Sequence, residues 1–214
     1  SFVGRQSARG EHKEHSDLDI VIINDELTDA YRESFFEFGW RIKAFFHTNE
    51  SVRRFFQSDC ERGRPTMPHM CAAGIVLRDD GSAVILKQDA KALLEKGPEP
   101  LTQEAIQSSR YFLTDLLDDF IDADHYDEAL VTLMTLSLQI AEFVLRANKQ
   151  WLGRGKGLIR ELNKFDSALS ESYIQAINSF VHMRDKQPFI RLVDQILDPH
   201  GGRLFEGFSL GKPT

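Results

Sequence analysis

Cysteine, tryptophan and methionine are scarce in this 214-residue chain, with two, two and four of them. Two cysteines, Cys60 and Cys71, exclude a disulfide-built scaffold, and their spacing fits neither a CxxC redox pair nor a zinc knuckle. They read as reduced thiols, which leads us to expect a cytoplasmic protein. An excess of basic residues is also missing. Lys and Arg total 26 against 33 Asp and Glu, a net charge of −7. That argues against broad nucleic-acid binding, which needs a basic face, and leaves room only for a small local basic pocket. Uninterrupted apolar runs are absent too. A bilayer span takes about 20 residues, and the longest apolar region, residues 130–145, is broken by Thr132, Thr135, Ser137, Gln139 and Glu142. No membrane partner is expected. No secretory leader pattern opens the chain, and Phe2 and Val3 already read as the end of a strand.

What is present is an ordinary globular composition, 42% hydrophobic and 28% charged, in two differently patterned halves. Residues 1–100 mix short β-type runs with helical stretches, and residues 101–214 are nearly all helical in period. In the first half, residues 19–23 are rich in β-branched side chains and stop at Asn24-Asp25, and residues 40–46 alternate apolar with polar. Residues 74–77 and 83–86 read as a hairpin around an Asp-Gly turn. Residues 28–38 read as a helix, and so do residues 51–59, with Thr48 or Asn49 as N-cap. Gly97-Pro98-Glu99-Pro100 marks the boundary. Beyond it Thr102 caps a helix to about Ile121, a second runs from Tyr126 to about Asn148, and others begin near Lys156, near Ser170 and at Pro188. The expected fold class is α+β: a mixed sheet with helices, then a bundle of four or five helices.

The sharpest chemical feature is Ser16-Asp17-Leu18-Asp19 opening a β-branched strand. Side chains at i and i+2 of a strand share a face, about 7 Å apart, so both carboxylates are placed to converge on divalent cations. The bare pattern also occurs at solvated strand ends. Upstream stand Phe2-Val3-Gly4-Arg5-Gln6-Ser7-Ala8-Arg9-Gly10 and a polar loop.

Together these segments resemble the polymerase β-type nucleotidyltransferases, in which a strand, a Gly-Ser turn, an Ala-Arg-Gly segment and a polar loop lead into Ser-Asp-x-Asp. Ser7-Ala8-Arg9-Gly10 and Ser16-Asp17-Leu18-Asp19 match at the family's spacing. Gly39-Trp40, His47-Thr48, Phe55-Phe56, Trp151 and Lys156 extend the likeness to bacterial members with a helical domain, as in the antibiotic-modifying (aminoglycoside-type) nucleotidyltransferases. The resemblance implies transfer of a nucleoside monophosphate from a nucleoside triphosphate, ATP by preference, to a hydroxyl of a small-molecule acceptor, with pyrophosphate released. It implies Mg²⁺ on Asp17 and Asp19, phosphate held by Gly4, Ser7 and Arg9, phosphate charge offset by Lys156, and a helical-domain glutamate, Glu128 or Glu142, as general base. Nucleotide and acceptor are expected in a cleft between the halves.

The pattern also departs from the family. Aligned without a gap, Arg5 and Gln6 fall where Gly and Ser hold phosphate; with one inserted residue, Gly4 and Ser7 take those places. Lys43 stands where the family has its third carboxylate, which removes a ligand and puts a like charge beside a metal. The alternative is therefore a catalytically degenerate protein of the same fold, acting as a nucleotide sensor or a protein-interaction module. Other candidates are His12 and His15 in the polar loop and Asp115, Asp118, Asp119 and Asp122 on one helix face. Arg110 and Tyr111, just before that stripe, are placed to line the cleft. These residues fix neither the acceptor nor the oligomeric state.

Overall fold

The structure, a computed structural model, describes residues 2–3, 16–79 and 81–211. The chain divides into two compact units, Ser1–Glu99 and Pro100–Thr214. The fold is α+β; among the described residues all the sheet lies in the first unit and five α-helices in the second.

The first unit holds β1 (Phe2–Val3), β2 (Asp17–Ile23), β3 (Tyr31–Glu37), β4 (Trp40–His47) and β5 (Ile75–Val76), with helices α1 (Asn49–Glu61), α2 (Thr66–Ala73) and α3 (Ser82–Lys96). The sheet order is β3-β4-β2-β1-β5. β2 and β4 are parallel, Asp17 lying opposite Arg41 and Asp19 opposite Lys43. β3 returns antiparallel to β4. Strand alternation puts Asp17, Asp19, Val21 and Ile23 on one face with Arg41, Lys43, Phe45 and His47. The far end of that face is a core of Val21, Val52, Phe56, Met67, Cys71, Ala83, Leu86 and Ala90, with Ile23 and Phe45 packed on it. Burial falls towards the strand start, where Asp17 and Asp19 are only half-buried.

Local chemistry explains the helices. Thr48 caps α1 by accepting from the Ser51 amide at 3.0 Å, while the Ser51 hydroxyl accepts from the Thr48 amide at 2.9 Å, a reciprocal cap that satisfies two otherwise orphaned donors. Buried Asp59 accepts from the Met67 amide at 2.7 Å and fixes the start of α2 to the end of α1.

Two sequence expectations are corrected. Residues 28–38 do not form a helix; they contain β3, which turns at Phe38 (φ 50°) and Gly39 (φ 77°) into β4. Positive φ at both central residues is the hairpin geometry that matches strand twist. Residues 74–86 do not form a hairpin. Ile75–Val76 pairs with β1, while Asp79 Oδ1 accepts from the amides of Gly81 and Ala83, each at 2.9 Å, and so starts helix α3.

The second unit holds α4 (Gln103–Asp122), α5 (Tyr126–Ala147), α6 (Lys156–Phe165), α7 (Ser167–Met183), α8 (Gln187–Leu197) and a 3₁₀ turn (Asp198–His200). Thr102 caps α4, accepting from the Ala105 amide at 3.1 Å. The core is built from Leu117, Phe120, Leu136, Ile140, Leu145, Phe180, Phe189 and Val193. The Tyr173 hydroxyl donates to the Ser137 carbonyl at 3.0 Å, so this buried polar tip is satisfied. By length and composition α5 is apolar enough to cross a membrane, and half of its apolar window is buried inside the bundle as core.

Candidate functional site

The start of β2 gathers four charged side chains on one sheet face. Asp17 and Asp19 project from β2, and Arg41 and Lys43 from the parallel partner β4. Arg41 Nε donates to Asp17 Oδ1 at 3.1 Å. Lys43 lies opposite Asp19, yet its ammonium reaches one pleat back and forms an ion pair with Asp17. The Lys43 hydrogen bond, supported by the charges of Lys43 and Arg41, holds the Asp17 carboxyl below its ordinary value of 3.8. Asp19 is pushed the other way. Burial raises its carboxyl above 3.8, against the attraction of Lys43, and the neighbouring Asp17 charge raises it further. The two carboxylates therefore have opposite environments: one is neutralised by two cations, the other desolvated without a hydrogen-bond donor among the described residues.

This donor set does not fit a two-metal centre. Such a centre needs several carboxylate oxygens free to face the cations. Here Asp17 is occupied by Lys43 and Arg41, the third position carries the Lys43 cation, and no group of three His, Cys, Asp or Glu suited to a metal occurs among the described residues. Arg32 of β3 shares this face and its charge also acts on Asp19, so cations outnumber carboxylates around the pair.

Gly4, Ser7 and Arg9, and also Arg5, Gln6, His12 and His15, lie outside the described residues. Glu128 and Lys156 belong to the helical unit. Glu128 is exposed on the first turn of α5, and Lys156 is the exposed first residue of α6. No hydrogen bond or ion pair joins them among the described residues. The glycines before Lys156 serve the backbone: a Cβ on Gly153 would lie 2.0 Å from the Gly157 carbonyl carbon, and Gly155 takes a positive φ of 53°. The Gly157 and Leu158 amides are already bonded to the Arg154 and Gly155 carbonyls, at 2.9 and 3.0 Å.

Glu142, unlike Glu128, faces a cleft. Ser108, Phe112, Asp115, Gln139, Glu142 and Arg146 are among the residues lining a cavity of about 650 Å³ between α4 and α5. Of the acidic stripe, Asp118 approaches Arg203 at 3.4 Å, and Arg203 grips Asp194 with two bonds of 2.7 and 2.9 Å. Arg110 and Tyr111 tie α4 to the C-terminal segment. Arg110 donates to the Gly201 and Gly202 carbonyls at 2.6 and 2.8 Å, and Tyr111 stacks on Phe208 at 4.0 Å.

Arg41 escaped sequence reasoning. Its signal was the period of two that puts it on the same face as Lys43.

No protein-family model matches the sequence, and no curated protein matches it. Among solved structures the chain is similar to a nucleotidyltransferase-like protein from Exiguobacterium sibiricum, with 11% identity and a TM-score of 0.48 over 86% of this chain. The chain spans 61% of the length of that protein. The functional reading rests on the residues themselves.

Proposed function

We propose that this chain is a nucleotide-binding module of the nucleotidyltransferase type that has exchanged the two-metal site for an internal ion-pair cluster. It holds a nucleoside triphosphate by its phosphates at the start of β2 and acts as a sensor rather than a transferase. The motif Ser7-Ala8-Arg9-Gly10 with Ser16-Asp17-Leu18-Asp19 supports the nucleotide class. The observation that carries the loss of transfer is the Lys43 ammonium on Asp17, at the strand start where the resemblance places a metal.

The physical consequence is a competition. Arg41 and Lys43 suit phosphate oxygens, but Asp17 already engages both. An incoming phosphate must take them from Asp17, so binding is salt-sensitive and independent of Mg²⁺. Asp17→Asn frees both cations and tightens ATP binding several-fold; one ion pair of about 1 kcal/mol corresponds to roughly fivefold. The transferase reading, with a small-molecule hydroxyl as acceptor, makes the opposite prediction. It requires Asp17→Asn to abolish Mg²⁺-dependent binding and pyrophosphate release. Calorimetric titration of ATP into wild type and Asp17→Asn, with and without Mg²⁺, separates the two.

A further inference from the structure

Among the described residues β3 is an edge strand, with every one of its seven residues exposed. Edge strands present unpaired amides and carbonyls, and proteins blunt them with charged side chains (lysine above all), proline, bulges or short length. Of these β3 has only charge, in Arg32, Glu33 and Glu37. It contains no proline or lysine, its register with β4 is unbroken from Tyr31–Phe46 to Glu37–Trp40, and it exposes Phe35 on one face and Phe36 on the other, while Tyr31 stacks on Phe46 at 4.4 Å.

The geometry of the hairpin fixes which groups face outwards. Glu37 and Trp40 flank the two-residue turn, so Glu37, Phe35, Glu33 and Tyr31 exchange hydrogen bonds with β4. The amides and carbonyls of Arg32, Ser34 and Phe36 then point away from the sheet. Three donors and three acceptors, evenly spaced along one edge, match a second copy of the same edge running antiparallel.

We infer that β3 is a self-pairing edge, and that two copies of this chain join through antiparallel β3 strands about a twofold axis at Ser34. Pairing must place same-face residues opposite one another. The Ser34-centred register does so, uses all seven residues and sets no like charges opposite. A slip of two residues in one direction puts Glu33 opposite Glu33, and in the other puts Glu33 opposite Glu37, both unfavourable. In the Ser34-centred register Arg32 lies beside Phe36 of the second copy. Arg32 already sits over Phe45 at 4.9 Å and Arg41 over Phe36 at 5.8 Å. Pairing therefore completes a row of alternating rings and guanidiniums across the twofold, Phe45, Arg32, then Phe36 and Arg41 of the second copy. That row ends on the Arg41 that contacts Asp17.

The test is sedimentation of the full chain between roughly 1 and 100 μM, with two sets of variants. Ser34→Pro removes an outward amide at a position where an edge strand tolerates proline. Glu33→Cys and Phe35→Cys, made in a Cys60→Ser background, occupy a directly opposed, non-hydrogen-bonded pair about 4.5 Å apart at Cα. Wild type is expected to move with concentration from 24.5 kDa to twice that mass. Ser34→Pro, with native circular dichroism, is expected to stay at the single-chain mass. Glu33→Cys mixed with Phe35→Cys is expected to give an oxidised cross-linked pair that neither gives alone; this readout stands even if Ser34→Pro fails to fold. A wild-type chain at single mass throughout, a folded Ser34→Pro that associates like wild type, or cysteine variants that cross-link equally well alone overturns the inference.

Discussion

Replacing Lys43 with Met removes the cation from Asp17 while keeping the length of the side chain. The Asp17 and Lys43 side chains are 21% and 33% exposed, so water screens the pair incompletely. Exposed pairs contribute about 0.2–1 kcal/mol. Arg41, at 3.1 Å, remains on Asp17 and retains part of the interaction. The Asp17–Lys43 coupling should therefore be about 0.5–1 kcal/mol at neutral pH, measured by a double-mutant cycle of Lys43→Met and Asp17→Asn. Urea unfolding supplies the four free energies. In a Trp151→Phe background Trp40 is the remaining tryptophan, on the same strand as Lys43. The pH dependence has a definite sign. The folded carboxyl of Asp17 lies below 3.8, so its contribution is present above 3.8 and lost as pH falls through the lowered folded value. A coupling below about 0.2 kcal/mol, or one that persists unchanged in acid, would refute the ion-pair account of this site.

The remaining predictions concern groups in and beside the cluster. Asp19→Asn should stabilise the protein at pH 7. Burial raises its carboxyl above 3.8, so ionisation opposes folding once pH exceeds the raised value; thermal melting checks this, and an unchanged or lower Tm argues against it. Burial also lowers the ring pKa of His47, on the same sheet face, below 6.5. Its contribution is present above 6.5 and lost as pH falls through the lowered value. His47→Gln should therefore flatten the loss of stability between about pH 7 and pH 5, and an equally steep loss in the variant would place its cause elsewhere.

The parts of the fold legible in the sequence were those with an inside and an outside. β2 and β4 announce themselves by β-branched and alternating residues, and α1 and α4 by Thr48 and Thr102 with apolar stripes behind them. β3 was read as a helix because an edge strand exposed along its whole length has no burial alternation to read. Its turn was hidden as well, since Phe38 takes a left-handed conformation usually left to Asn or Gly. The segment after β5 misled for a different reason. An Asp-Gly sequence suits a hairpin turn, but here the Asp79 carboxylate bonds two amides of a helix start, and Gly81 at φ 102° carries the chain into α3. At the site, Asp17, Asp19 and the anomalous Lys43 were all visible as residues. Their arrangement was not, because only the parallel register of β2 with β4 sets Lys43 opposite Asp19 and within reach of Asp17. Arg41 became a member of the cluster for the same reason.

The most direct test is ATP binding by calorimetry to wild type and Asp17→Asn, each with and without Mg²⁺. The account predicts binding that does not need Mg²⁺ and that tightens several-fold in Asp17→Asn, as Lys43 and Arg41 are released to phosphate. Binding that requires Mg²⁺ and disappears in Asp17→Asn would contradict it and restore the metal-dependent transferase; no binding in any of the four titrations would contradict it as well.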